Sequence, residues 1–399
     1  MLKNVKLKEL GEIFTGSTPS KKNKEFYNSE DIMFIKPDIL DFDIVNIGVS
    51  NEYISEKARE KARIIPANSL LVSCIGSIGK LGINEKEVAF NQQINAIVPN
   101  NKIKSSRYLA YLLKYNQKKL ESIANAPVVP IINKTQFSEF EVLIHENLNF
   151  QEQITQILDK SKEIIEKRKE QIQFLDKLVK SKFIEMFGDP VINPKGWKYP
   201  KIEEVVANEK NAIKAGPFGS ALKKEYYIKS GYKIYGQEQV ISGDINLGDY
   251  YISEEKYKEL ENYAIKSNDV LISLVGTYGK LLIVPTIFEA GIINPRLMKI
   301  TFNSNLINTI YFKFFFQSES LRNRLSDNTH GGTMPILNVG IVRNINIPIP
   351  PIELQNQFAD FVKQVDKLKF EMERISNLDR KIKNTEGKVK KLLFNMNIM

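Results

Sequence analysis

From residue 150 to residue 187 the chain contains no proline or glycine, and apolar side chains recur every seventh position at Leu158, Ile165, Ile172, Val179 and Met186. Ile154, Leu175 and Phe183 widen this stripe, and the intervening residues are mostly Lys, Glu, Gln and Arg, which favour helix. The spacing predicts one long helix with a coiled-coil seam rather than a globular amphipathic face. Gly188-Asp189-Pro190 stops it, with glycine at the C-terminal cap and proline unable to continue. At 1.5 Å per residue such a helix is about 55 Å long. Phe361, Leu368, Ile375, Ile382, Val389 and Met396 keep the same beat near the end of the sequence, with Phe358, Val365, Met372 and Leu393 as companions.

Before each helix lie short apolar runs separated by turn residues. The patterns predict a small amphipathic turn at the opening of 5–14, strands at 32–35, 70–75, 94–98 and 140–144, a short helix over 53–63 and a longer one over 107–123. The expected fold is α+β: a mixed domain at 1–149, a coiled-coil helix at 150–188, a second domain at 189–351, and a second coiled-coil helix at 352–399.

The second domain repeats the first. Residues 70–81 (LLVSCIGSIGKL) align without gaps with 270–281 (VLISLVGTYGKL), and six of the twelve positions are identical. Around them Glu25-Phe26-Tyr27 matches Glu225-Tyr226-Tyr227, and Asn46-Ile47-Gly48 matches Asn246-Leu247-Gly248. Tyr53-Ile54-Ser55-Glu56 matches Tyr251-Ile252-Ser253-Glu254, and Pro130-Ile131-Ile132-Asn133 matches Pro335-Ile336-Leu337-Asn338. The helix starts agree as well, Phe150-Gln151-Glu152-Gln153 against Leu354-Gln355-Asn356-Gln357. Collinear matches over the full length mean duplication. The framework is shared while the polar loops differ, so two like scaffolds carry two unlike reading surfaces.

Charge and rare residues narrow the chemistry. The net charge of +10 points to a polyanionic partner, although Lys-rich usage by itself is weak evidence. One cysteine, Cys74, allows no internal disulfide and fits a reducing compartment; it is expected buried in its strand. No apolar stretch is long enough to span a membrane and no apolar signal run opens the chain, so a cytoplasmic location is expected. His145 and His330, the only histidines, cannot build a conventional His/Cys metal site with one cysteine. A nucleophile elbow, a full phosphate loop and a glycine-rich methyltransferase loop are absent from the sequence.

The candidate contacts are therefore polar loops. Ser17, Thr18, Lys21, Lys22 and Lys24 lie in one, and Lys214, Ser220, Lys223 and Lys224 in its counterpart. Ser77 and Lys80, with Thr277, Tyr278 and Lys280, flank the glycine turns; these are either tight strand–strand turns or loops whose N–H groups meet phosphate. Asn91, Gln92 and Gln93, with Asn294 and Arg296, have the chemistry for base edges, amides for adenine and guanidinium for guanine. His330 and Thr333 sit in a glycine loop that is either a contact or a connector.

If the two seams pack antiparallel, the second helix returns toward the first domain, giving a pseudo-two-fold object with a stiff spacer. Fixed spacing suits a target with its own repeat, such as DNA at about 34–36 Å per turn.

The ordered set of duplicated strand-Gly-x-x-Gly-Lys elements (76–80 and 276–280), Gln-rich helix starts, Met186-Phe187-Gly188-Asp189-Pro190 and Asn193-Pro194-Lys195-Gly196-Trp197 resembles the specificity subunit of type I restriction–modification enzymes. The resemblance covers the whole chain. It implies a non-catalytic, sequence-specific DNA-binding subunit whose two target recognition domains each read half of a split double-stranded DNA site. It also implies helices that set the spacer and dock two methyltransferase subunits, with restriction subunits joining them. S-adenosylmethionine, ATP and Mg belong on those partners and no cofactor on this chain. A rival reading is a coiled-coil adaptor whose heads bind proteins.

Overall fold

A computed structural model describes residues 2–125, 129–274, 280–327 and 337–384, the side chains of 326–327 and 375–384 excepted. The described residues fall into two compact units, one made of residues 2–168 with 375–384 and the other of Lys169–Arg374.

The first unit is built on a five-stranded sheet in the order Gly11–Thr15, Ile94–Pro99, Leu70–Ser73, Leu81–Asn84, Ile44–Ile47. Its pairs are antiparallel except the last. A four-stranded sheet runs Tyr53–Ile54, Ile32–Ile35, Val88–Phe90, Ile64–Ile65, with a parallel pair at its centre. The small turn expected at the opening of 5–14 is the 3-10 turn at Leu7–Glu9, but it lies between two strands, Leu2–Lys6 and Gly11–Thr15, that the pattern does not predict. Long-range pairing decides this: Leu2–Lys6 joins Glu141–His145, and Gly11–Thr15 joins Ile94–Pro99. The helix expected over 53–63 is a strand followed by a 3-10 turn at Glu56–Lys61. That over 107–123 is two helices, Ser106–Tyr115 and Gln117–Ser122, broken at Asn116, whose amide donates to the Leu112 carbonyl (2.9 Å).

The second unit repeats the plan with Ile213–Ala215, Leu297–Ile300, Val270–Ser273, Leu281–Ile283 in one sheet and Tyr251–Ile252, Tyr232–Tyr235, Gly291–Ile293 in the other. Again the second sheet holds one parallel pair. The strand Ile44–Ile47 has no counterpart among the described residues; a helix at Gln237–Ser242 precedes the matching Asn246-Leu247-Gly248.

The first long helix spans Leu148–Phe187. It starts two residues earlier than the seam predicts because Asn147 caps it, accepting from the Asn149 and Phe150 N–H groups. Gln151 is fully buried: its amide donates to the Lys102 and His145 carbonyls and accepts from the Lys104 N–H. Ile154 and Leu158 enter the core of the first unit. Asp43, in the loop before Ile44–Ile47, binds Lys114 and the helix residue Lys162. Burial pushes its carboxyl up, but Lys114, the Ile44 N–H and Lys162 outweigh that and hold it well below the usual carboxylate range.

The last turn of this helix explains the two motifs that follow it. Gly188 adopts φ +79, which suits glycine, and its N–H donates to Ile184. The Lys195 ammonium donates to the Glu185 and Met186 carbonyls, and the Trp197 indole to that of Phe187 (3.1 Å). Val179, Phe183 and Phe187 then pack into the core of the second unit with Phe358, Val362 and Val365.

The second long helix is described over Ile352–Asn384. Its pairing with the first is antiparallel: Phe358 meets Phe183 and Phe187, and Lys369 binds Asp176 (2.6 Å). The five seam residues expected on the first helix are buried or half-buried. On the second, Phe358 and Val365 are buried and Phe361 packs against the core as expected, but Leu368 departs from the pattern. Leu368 is 54% exposed, while Phe358, Val362 and Val365 are buried and Lys369 is half-buried. Lys369 covers the seam with its stem and sends its charge to Asp176, so a polar residue holds a position that the apolar pattern gives to its neighbour. Ile375, Ile382 and Val389 lie outside the described side chains.

Candidate functional site

Each unit brings the same two loops together. In the first, Asn91 follows the strand Val88–Phe90 and its N–H donates to the Ile35 carbonyl. In the second, Asn294 follows Gly291–Ile293 and donates to Tyr235. A glycine crosses each asparagine: Gly16 donates to Ile94 and Gly216 to Leu297. A Cβ at Gly16 would sit 2.1 Å from the Asn91 carbonyl oxygen, and one at Gly216 1.9 Å from that of Asn294. Only glycine permits this approach. The crossing sets the lysine-bearing loop beside the amide-bearing turn, a juxtaposition that separate inspection of the two loops in sequence does not reveal.

The rims differ. In the first unit the Thr18 hydroxyl bonds the Gln92 amide oxygen (2.7 Å) and the Asn91 amide donates to Gln93 (2.9 Å). Lys21, Lys22 and Lys24 are exposed, and Ser17 is half-buried. In the second unit an open cleft of ≈ 710 Å³ is lined by residues including Lys224, Tyr227, Gln237, Glu238, Tyr250 and Arg296. The Arg296 guanidinium donates to the Gln237 amide oxygen (3.5 Å), and the Gln237 amide donates to the Ser273 hydroxyl (2.8 Å). Tyr227 and Tyr250 stand 5.5 Å apart, and burial pushes the Tyr227 hydroxyl up. The cleft therefore combines a guanidinium, an ammonium, amides and aromatic faces. Sequence reading names Lys224, Asn294 and Arg296 but misses Gln237, Glu238, Tyr227 and Tyr250. Gln237 could have been found from its place two residues past Tyr235, the counterpart of Ile35.

Several expected contacts are used internally. Asn91 is 6% exposed and its amide is held by Gln93, so it shapes the turn rather than presenting an edge. The Asn294 side-chain oxygen likewise accepts from the Arg296 N–H (2.9 Å). Lys214 bonds Asn211 and lies over the Tyr263 ring. Lys223 pairs with Glu225 (3.2 Å). Ser220 and Lys280 are exposed.

The glycine turn at 76–80 is a tight strand connection. Gly76 and Gly79 have positive φ, and the N–H groups of Gly76, Ile78, Gly79 and Lys80 bond Pro130, Gly76, Ser73 and the Ser73 hydroxyl. Those donors are thus spent inside the unit, which removes the phosphate-cradle reading for them. Ser77 is exposed, and the Lys80 ammonium lies over the Phe42 ring. Thr277, Tyr278, His330 and Thr333 lie outside the described residues.

Cys74 is buried and its thiol is pushed up to about 12 by that burial. His145 is buried against Phe150. Among the described residues no cluster of His, Cys, Asp and Glu could hold a metal ion, and no helix is long and apolar enough to cross a membrane.

The family profile described as the type I restriction modification DNA specificity domain matches residues 2–173 and 194–384. The MjaVIII specificity subunit of a type I restriction enzyme from Methanocaldococcus jannaschii is 25% identical over 359 residues, which is 84% of this chain and 82% of that one. The EcoR124I/EcoR124II specificity subunit of Escherichia coli is 28% identical over 163 residues, 39% of each chain. Among solved structures, a chain from work on assembly and conformational transition of the type I R-M system covers 98% of this chain and 97% of its own. It has a TM-score of 0.67 at 14% identity. The S subunit of a type I restriction-modification system from M. genitalium covers 98% of this chain and 96% of its own, with a TM-score of 0.56 at 15% identity, a likeness of fold. The two matched segments together take in most of the sequence, and the chain belongs to the type I restriction modification DNA specificity domain family.

Proposed function

We propose that this chain chooses the DNA sequence on which a type I restriction–modification complex acts, each unit reading one half of a split, asymmetric site. The observation that carries the reading is the duplicated glycine–asparagine crossing with unlike rims. One scaffold is built twice, with Thr18, Gln92 and Gln93 on one copy and Gln237, Arg296 and Lys224 on the other. Amide and guanidinium groups on a rigid turn suit base edges, and the exposed lysines suit phosphates. The two long helices set the spacer between half-sites and dock two methyltransferase subunits, and restriction subunits complete the nuclease. The chemistry rests with those partners, which carry S-adenosylmethionine, ATP and Mg; this chain is the non-catalytic reader, working in a prokaryotic cytoplasm. The candidate contacts are Ser17, Thr18, Lys21, Lys22, Lys24, Gln92 and Gln93 in the first unit and Ser220, Lys224, Gln237 and Arg296 in the second.

The alternative, an adaptor whose heads bind proteins, is not favoured, given the family match over both units. Salt separates the two. With its methyltransferase subunits the chain is expected to bind duplex DNA with an affinity that falls about 10³-fold or more between 50 and 200 mM salt, as counterions are released from phosphates. Affinity for duplex DNA that stays flat over that range would support the adaptor.

A further inference from the structure

Phe218 is 85% exposed, on a loop that is anchored at Gly216, Pro217 and Leu222. Gly216 is fixed by its crossing with Asn294, Pro217 is buried, and Leu222 is 6% exposed. A 3-10 turn from the Ala221 N–H to the Phe218 carbonyl (2.9 Å) holds the tip between them. The aromatic ring is thus held out by a loop closed on both sides. A lone exposed apolar residue needs no explanation in general. This one lies two residues from the Asn294 crossing and on the loop that supplies Leu222 and Lys224 to the cleft of Arg296, Tyr227 and Tyr250. Counting from the matched glycines, Gly16 and Gly216, its counterpart in the first unit is Thr18, which is tied to Gln92.

Resting on the DNA-reading role proposed above, we propose that Phe218 is an apolar wedge that stacks into a base step of the second unit's half-site. The occupant is duplex DNA because the loop that carries Phe218 also supplies Lys224 to the cleft of Arg296, on a chain of net charge +10. Aromatic side chains entering a base step unstack it and kink the duplex, so a site is then selected by how readily its step deforms as well as by base edges. The first unit, with a tethered threonine at this position, reads its half without a wedge. The two halves differ in mechanism, and the second should favour a flexible pyrimidine–purine step beside the bases that Arg296 contacts.

The test uses the full chain assembled with its methyltransferase subunits, on the wild-type site once mapped, with 2-aminopurine placed in turn at adenines of each half other than the one those subunits methylate, which a methyltransferase takes out of the stack by itself. Wild type is expected to raise fluorescence at one step of the second half and at none of the first. Phe218→Ala should abolish that rise and weaken binding about tenfold or more, the range of one base–aromatic stack. Phe218→Trp should keep both, and Thr18→Ala should leave the second-half signal in place. Unchanged fluorescence and affinity in Phe218→Ala at a mapped site would overturn the wedge alone. So would loss of methyltransferase subunits from that variant with DNA affinity of the assembled complex intact, which would make Phe218 a protein contact. A wild-type complex that binds no split site would overturn the DNA reading and the wedge with it.

Discussion

Phe358→Ala is expected to lower the stability of the second unit by about 4 kcal/mol, within the range for removing a buried phenylalanine. Phe358 is fully buried and stands edge-on to three rings, Phe183 (5.5 Å), Phe187 (5.4 Å) and Phe314 (5.2 Å). Such pairs add to the area term, and the hole left by the ring is walled by residues from both long helices, which limits collapse. Leu368→Ala, on the same helix but 54% exposed, is expected to change stability by no more than about 0.5 kcal/mol. The pair tests whether Leu368 belongs to the seam, as the apolar repeat suggests, or lies outside it, as the structure has it. Trp197 is the chain's only tryptophan and donates to the Phe187 carbonyl, so its fluorescence in a urea titration reports this joint directly. Equal losses for the two variants would mean that Leu368 is covered by the partner helix after all.

Gln151→Ala and Gln355→Ala should each cost about 3 kcal/mol, although neither removes appreciable apolar area. Gln151 satisfies two carbonyls and one N–H of the first unit. Gln355 does the same in the second, donating to Leu306 and Pro350 and accepting from the Asn308 N–H. Both are fully buried. Truncation strands three backbone groups, each costing about 1–3 kcal/mol when left unpaired, with water recovering part of the sum. Because these glutamines weld each long helix to its domain, the variants should also raise amide exchange over 102–104 and over 306–308 respectively. Losses below about 1 kcal/mol would show that the bonds are replaceable and that helix seating depends on the apolar contacts.

These cases show what a sequence can and cannot convey here. The duplication, the two long helices and the strand-turn-strand at 70–81 are legible because they rest on periodicity and on local glycine chemistry. The Gln-rich helix starts are visible as a repeat, but their reason is not, since the partners of Gln151 lie up to 49 positions away. The strands on either side of the opening turn are missed because their stability comes from pairing with Glu141–His145 and Ile94–Pro99. One seam position of the second helix, Leu368, is misassigned because Lys369 fills a place that a hydrophobicity pattern gives to its neighbour. At the reading surface the residue types are recognisable but their duties are not. Asn91 has the chemistry for base edges and is spent on its turn, Asn294 gives its side-chain oxygen to a turn while lining the cleft, and Gln237 and the two tyrosines gain their place only when the sheets bring them there.

Methylation mapping of a host that expresses this chain with its methyltransferase subunit tests the central claim most directly. The expected result is one split, asymmetric motif with adenine methylated in both halves, of which only one half changes when residues 1–149 are exchanged for those of a relative. A host whose methyltransferase subunit is active, yet whose genome shows no such motif, would contradict it.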